Sequence, residues 1–201
     1  MKKNLFILMA VMILSGLSVN AQKIVLKSGS FDFLKDQKVL LAKFDYSDVS
    51  VGKFDKEADY IAQKVEEYNK SKPGMGDSWK ESWLSDRPTR YEPQFEELFN
   101  EYMKPKGISC DRNENSAKYV IEVQTTFIEP GFNVYVTRKN AMINANVRFI
   151  EIASGKEMAL IEVSNCPGRD AFGNDYDTGL RIQEAYAKLG KSIAGFVGKN
   201  L

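Results

Sequence analysis

A change of hydrophobic period along the chain limits the fold more than any other feature. Between Tyr119 and Val163 apolar side chains fall at every second position in three consecutive runs; from Ile182 onward they fall at every third or fourth. A period of two belongs to a strand with one buried face, and a period near 3.6 to an amphipathic helix. In the first run Tyr119, Ile121, Val123, Thr125 and Phe127 alternate with Glu122, Gln124 and Thr126; in the second Ala141, Ile143, Ala145, Val147 and Phe149 alternate with Asn144, Asn146 and Arg148. Ala159, Ile161 and Val163 mark the third, which Pro167-Gly168 ends. Pro130-Gly131 and Ser154-Gly155 supply turns between runs, and a phase slip at Phe149-Ile150 predicts a β-bulge. Three such strands on short connections form an antiparallel meander with one wet face.

Upstream, Ile24-Val25-Leu26 suggests an edge strand and Lys38 to Tyr46 a firmer one. Phe54, Ala58, Ile61, Val65 and Tyr68 then recur at steps of three and four, which predicts a helix over roughly 55–70, closed by Lys72-Pro73-Gly74. A short helix is expected over 77–86, with Pro88 stopping it, and another over 91–102. The final helix carries Ile182, Ala185, Tyr186, Leu189, Ile193 and Phe196 on one face, with Thr178 the expected N-cap. Strand, helices, three strands, helix is the order of an α+β two-layer sandwich: an antiparallel or mixed sheet with helices packed on one face.

The first 21 residues have the form of a secretory signal peptide: Lys2 and Lys3, an apolar run of about 13 residues, and Ser18-Val19-Asn20-Ala21 before Gln22. As a helix that run reaches roughly 20 Å, short of a bilayer core of about 30 Å. The expectation is cleavage after Ala21, leaving one domain over 22–201, periplasmic or secreted, with no transmembrane span. The first cysteine is Cys110, so the acylated first residue of a bacterial lipoprotein is absent and no lipid anchor is expected. Without Lys2 and Lys3 the chain has 26 basic and 27 acidic side chains and no basic block, a balance unlike that of a nucleic-acid binder. There is no histidine anywhere, which excludes Ser-His-Asp and Cys-His catalysis and His-ligated zinc, and no cofactor is expected. Cys110 and Cys166 are the only cysteines. In an oxidising compartment they are either a disulfide closing a loop of about 57 residues, worth about 4 kcal/mol in the chain-entropy model, or two buried thiols.

Three clusters carry the candidate chemistry. Trp79 and Trp83 fall four apart on a helix face, with Arg87 and Arg90 following. Two indoles so placed either pack under the adjacent loop or form a platform for a ligand. The second cluster is Glu129-Pro130-Gly131-Phe132-Asn133, running on to Arg138, with Phe132 expected to plug the sheet end. The third runs from Gly168 to Gly179 and includes Arg169, Asp170, Asp175 and Asp177, with Arg181 and Glu184 beyond. Its carboxylates do not have EF-hand spacing, and they suit the start of a helix, where acids favour the dipole. Because the Pro130 turn and the Asp170 loop follow strands that run the same way, all three clusters can meet at one end of the sheet. The candidate ligand site is therefore Trp79, Trp83, Arg87, Asn133, Arg138, Arg169, Asp170, Asp175, Asp177 and Arg181.

Phe44-Asp45-Tyr46-Ser47, Val51-Gly52-Lys53-Phe54, Trp79-Lys80-Glu81-Ser82-Trp83, Pro130-Gly131-Phe132-Asn133, Gly168-Arg169-Asp170-Ala171-Phe172-Gly173 and Arg181-Ile182-Gln183-Glu184-Ala185-Tyr186 together resemble a family of exported proteins of the Bacteroides group. The resemblance covers nearly all of the mature chain. It implies an envelope location and a single fold; that family has no assigned activity, so no catalytic residue is implied. The element order is also similar to small α/β envelope-assembly modules such as the periplasmic part of curli-secretion lipoproteins. The reading that follows is a non-enzymatic module binding an envelope protein or a small polar ligand. The alternatives are a carboxylate-based hydrolase of glycan or envelope polymer, using Asp170, Asp175, Asp177 or Glu184, and a structural subunit of an envelope complex.

Overall fold

The computed structural model describes residues 21–134, 137–168 and 177–201. Its strands are β1 (Lys23–Gly29), β2 (Val39–Asp45), β3 (Ser50–Val51), β4 (Ser109–Asp111), β5 (Tyr119–Glu129), β6 (Phe132–Asn133), β7 (Arg138–Lys139), β8 (Ala141–Glu151) and β9 (Glu157–Gly168). Its longer helices are α1 (Glu57–Ser71), α2 (Met75–Asp86), α3 (Glu92–Met103) and α4 (Thr178–Lys199). Seven strands form one mixed sheet in the order β1-β9-β8-β5-β2-β4, with β3 added to β5; it does not close into a barrel, and β6 and β7 form a separate ribbon. The architecture is the expected α+β sandwich.

The alternating runs pair as the meander requires. β5, β8 and β9 are antiparallel neighbours, and the β8–β9 register shifts between Phe149 and Ile150, where the phase slip placed a bulge. β2 lies parallel to β5, because three helices separate them in the chain and bring it back in the same direction. Ala42, Ile121, Phe149 and Ala159 share one row of the ladder and face the helices, as do Phe44, Val123, Val147 and Ile161 in the next. On the opposite face Asp45, Gln124 and Asn146 line up and bond in turn, and Arg148 reaches Glu122, Gln124 and Glu157. Polar groups satisfied by their neighbours leave that face wet without a buried debt of unpaired atoms.

The α-helix α2 ends at Asp86, as expected ahead of Pro88, but the chain does not leave the helical path there. The chain continues from α2 through a π-helical turn, Arg87–Tyr91, into α3. Three bonds support the turn around Pro88 and Pro93, neither of which has an N–H to donate. The Arg87 N–H takes the Leu84 carbonyl, the Thr89 hydroxyl takes the Ser85 carbonyl at 2.6 Å, and the Arg112 guanidinium takes the Pro88 carbonyl at 3.0 Å. A wider turn with outside donors lets a helix survive a proline that would otherwise break it. Two smaller expectations also change. Asp177 is the N-cap of α4, accepting from the backbone of Gly179 and Leu180, and Thr178 is the first helical residue. Phe132 is 44% exposed on the β6–β7 ribbon, and it does not plug the sheet.

The disulfide is excluded. Cys110 lies on the edge strand β4 and Cys166 on β9, four strands away, or about 19 Å at about 4.8 Å per strand. Both are free, buried thiols.

Candidate functional site

The ends of β2, β5 and β9, the start of α1, the π-turn and the start of α4 come together at one end of the sheet. Local chemistry explains the convergence. Gly131 has φ +65°, and a Cβ there would stand 2.4 Å from the Lys139 carbonyl oxygen, so only glycine turns β5 into the ribbon. At Gly168 a Cβ would stand 2.0 Å from the Arg181 carbonyl oxygen, so β9 and α4 are in backbone contact. Arg181, 3% exposed, donates from Nε to the Pro130 carbonyl and from Nη2 to the Gly131 carbonyl, both at 3.3 Å, and to Thr178 Oγ1 at 2.9 Å. It ties the β5 turn to the first turn of α4.

A second arginine joins α2 to α4. Arg90 Nη1 meets Asp177 Oδ2 at 2.9 Å, and its Nε meets Asp86 Oδ1 at 3.1 Å. A Cβ on Gly179 would stand 2.2 Å from Asp86 Oδ2 and 2.6 Å from Arg90 Nη1, so a side chain at this position would displace the ion pair. Burial raises the Asp86 carboxyl above its ordinary value and Asp177 adds to the rise, with Arg90 opposing. Burial also pushes Asp177 upward, but its bonds to Arg90 and to the backbone of Leu180 and Gly179 bring it below its ordinary value. Carboxyls pushed apart in this way are the pattern of an acid–base pair. Here, however, the space a glycosidic bond would need between them holds the Arg90 guanidinium.

A third arginine, Arg87, donates from Nη2 to both carboxylate oxygens of Glu57, while its guanidinium stands 4.3 Å from the centre of the Tyr46 ring. Trp83 Nε1 donates to the same Glu57 at 2.8 Å. Beneath them, the Thr125 and Tyr186 hydroxyls bond at 2.6 Å and Tyr91 stacks on Tyr186, ring centres 5.1 Å apart. The Tyr46 hydroxyl is buried with no hydrogen-bond partner among the described residues. Beside this cluster a cleft of about 510 Å³ is lined by Tyr46, Ser47, Asp48, Asp55, Lys56 and Glu57.

The residues singled out in the sequence are thus distributed as follows. Trp79 and Trp83 stack at 5.6 Å, and Tyr60 and Tyr68 close over them between α1 and α2. Trp83 is 5% exposed, so its ring face is used inside the protein. Arg87, Asp177 and Arg181 sit at the common sheet end, each holding two or more elements together. Asn133 and Arg138 pair across the β6–β7 ribbon. Arg169, Asp170 and Asp175 lie outside the described residues. Among the described residues no three acidic or cysteine side chains converge as they would around a metal ion.

Glu57, Asp86, Tyr46, Tyr91 and Tyr186 were not selected from the sequence as site residues, although they complete the contacts of Arg87 and Trp83, one of the Arg90 ion pairs and the tyrosine stack beneath. Each reads in the sequence as an ordinary helix or strand residue; Asp86 meets Arg90 at a local i,i+4 spacing, whereas long-range packing brings Glu57 and Tyr46 to Arg87.

No protein-family model matches the chain, and no curated protein matches it. Among solved structures the chain is similar to a PelC dodecamer from Paraburkholderia phytofirmans, at 11% identity and a TM-score of 0.43 over 85% of this chain and 96% of that one. A point variant of that dodecamer gives 11% identity and a TM-score of 0.42, over 85% of this chain and 95% of the other. These values describe a loose likeness in the course of the chain. Among the described residues no helix is long and apolar enough to cross a membrane.

Proposed function

We propose that this protein is a non-catalytic subunit of a cell-envelope assembly, held to its neighbours by helix-mediated protein contacts. The observation that carries the reading is the α1–α2 hairpin. Only Tyr60 is buried in α1, and only Gly76 and Trp83 in α2. The two helices pack chiefly on one another through the Tyr60, Tyr68, Trp79 and Trp83 rings, and the hairpin joins the body through β3 and the π-turn. Along its side Ala58, Ile61, Ala62 and Val65 form an apolar stripe at helical spacing and line a cleft of about 520 Å³. A helical arm that leaves Ala58 and Ala62 exposed beside the half-buried Ile61 and Val65 presents an apolar strip suited to contact with another protein.

The charged groups support the same reading. The three arginines at the sheet end are spent on closing the fold, and the carboxylates they meet are spent with them. The sheet edges also favour contact through helices. β1 carries Lys23 and Lys27 and a register shift after Leu26, and β4 has three residues; charged, bulged or short edges resist strand-to-strand pairing.

The test is native electrophoresis of gently solubilised envelopes containing the full chain. Wild-type protein is expected in a species well above its own 22.7 kDa. Ala58→Glu with Ala62→Glu, both exposed on this stripe, should release it as monomer with an unchanged circular dichroism spectrum. Wild-type protein running as monomer in every fraction would sink the reading.

A further inference from the structure

We infer that the groove between α3 and α4 docks an acidic, amphipathic segment of a partner protein; this rests on the assembly reading above and names the chemistry of one contact. Two cavities, of about 480 and 330 Å³, share Lys188 and Lys191 and so form one continuous groove along the outer side of α4. Its floor is apolar, from Leu98, Pro167 and Ala187 at one end to Tyr102 and Phe196 at the other.

The α4 lip is basic. Lys188, Lys191 and Lys199 follow at steps of three and eight residues, hence on one side of the helix, over about 16 Å of its axis. All three are exposed, and none of the ion pairs among the described residues involves them. Lys191 rests over the Tyr102 ring at 4.6 Å. Lys106 comes close to the far end beside Gly198. Among the lining side chains Glu184, at the Pro167 end, is the one carboxylate. A row of uncompensated ammonium groups above an apolar floor is complementary to carboxylates alternating with aliphatic anchors.

Gly195 supplies a second, independent observation. It lies inside a helix, where glycine is unfavourable relative to alanine, and a Cβ there would meet nothing within 4 Å. The contrast is Gly190 on the same helix, whose Cβ would stand 2.3 Å from the Phe95 carbonyl oxygen. Packing within the chain requires Gly190 and does not require Gly195. Gly195 lines the second cavity and leaves the helix backbone open to something lying in the groove. A peptide that seats small anchors against that backbone fits the shape. An acidic glycan would leave the apolar floor uncovered, and a bilayer surface would not enter a concave groove.

Tyr102, 40% exposed in the groove, is the place for a benzoylphenylalanine photo-crosslinker in the full chain in its own cell. We expect a protein adduct whose linked peptide is acidic and carries aliphatic residues. Its yield should fall at least tenfold in Lys188→Glu with Lys191→Glu, and several-fold in Gly195→Leu, while thermal melting shows both proteins folded. Failure of the adduct to form, an adduct with lipid, glycan or a second copy, or a yield indifferent to charge reversal would overturn the inference. Native electrophoresis separates the two claims. A large complex that persists without a Tyr102 adduct refutes the groove and leaves the assembly reading standing; a monomer refutes the assembly reading itself.

Discussion

Alanine at Gly190 and alanine at Gly195 should move stability in opposite directions, although the two sites lie five residues apart on one helix. At Gly190 the new Cβ would stand 2.3 Å from the Phe95 carbonyl oxygen and 3.1 Å from the Phe99 nitrogen. Both atoms are backbone, so the strain cannot be relieved by a rotamer change. Ordinary contact begins near 3.4 Å, and α3 must therefore retreat from α4 by about 1 Å. That movement loosens the seam holding Phe95, Phe99, Leu189 and Ile193, all fully buried. Overpacking of this kind costs about 1–3 kcal/mol, and removing a helical glycine returns somewhat under 1 kcal/mol. The net expectation for Gly190→Ala is about 1–2 kcal/mol of destabilisation. At about 2–4 °C per kcal/mol for a chain of this size, Tm falls by roughly 2–8 °C. At Gly195 there is no neighbour to displace, so Gly195→Ala keeps only the helix gain and Tm rises by roughly 1–4 °C. Thermal melting by far-ultraviolet circular dichroism, with urea titration as a second measure, decides the matter. A Gly190→Ala protein as stable as wild type would refute the close approach of α3 and α4, and a destabilised Gly195→Ala would show that the groove backbone is packed after all.

Asp177→Ala removes an N-cap that accepts two backbone N–H bonds and a half-exposed ion pair with Arg90, and should cost about 1–2 kcal/mol in chemical denaturation at neutral pH. Because the folded Asp177 carboxyl lies below its ordinary value, its contribution is complete above the usual carboxylate range and is lost as the pH falls through the depressed value. Asp86 has the opposite sign: its raised carboxyl makes stability grow as the pH falls through that raised value, and Asp86→Asn should abolish this rise in a pH series of unfolding curves. Glu57→Gln leaves the Arg87 guanidinium without its counter-charge and weakens the acceptor for the Trp83 indole; a loss of about 2–3 kcal/mol with a change in tryptophan emission is expected, and an unchanged spectrum would contradict the contact. Cys110 and Cys166 should react with a thiol reagent only on unfolding. Burial pushes both thiols up, Cys166 to about 12, and intact mass should show no loss of two hydrogens after purification without reductant.

Much of the fold was legible because its signals are local. The meander, its bulge at Phe149-Ile150 and the apolar face of α4 follow from side-chain period, which neighbouring residues set among themselves. The end of the α-helical hydrogen bonding at Asp86 was legible, but the continuation of the helical path through Pro88 was not, because the Arg112 guanidinium that takes up the Pro88 carbonyl comes from beyond α3. The cysteine pair was open for a similar reason: compartment and spacing do not say that three strands lie between the thiols. The candidate site was half legible. Arg87, Asp177 and Arg181 were recognisable as charges beside turns, but their partners Glu57, Arg90 and the Pro130 carbonyl belong to other elements. The lysine row of α4 went unread in the sequence, because it has no meaning until α3 stands beside it and a groove lies between.

Residue order by itself determined the strands, the helices and the exclusion of histidine chemistry, since these depend on period and composition. Tertiary structure alone decided which charges are spent and which are left over. Arg87, Arg90 and Arg181 find carboxylates or carbonyls at the sheet end, while Lys188, Lys191 and Lys199 find none in the ion pairs among the described residues. The physical reason is that an ion pair or a groove is a relation between elements distant in the chain, and its energy depends on a separation of a few ångströms that no local pattern encodes.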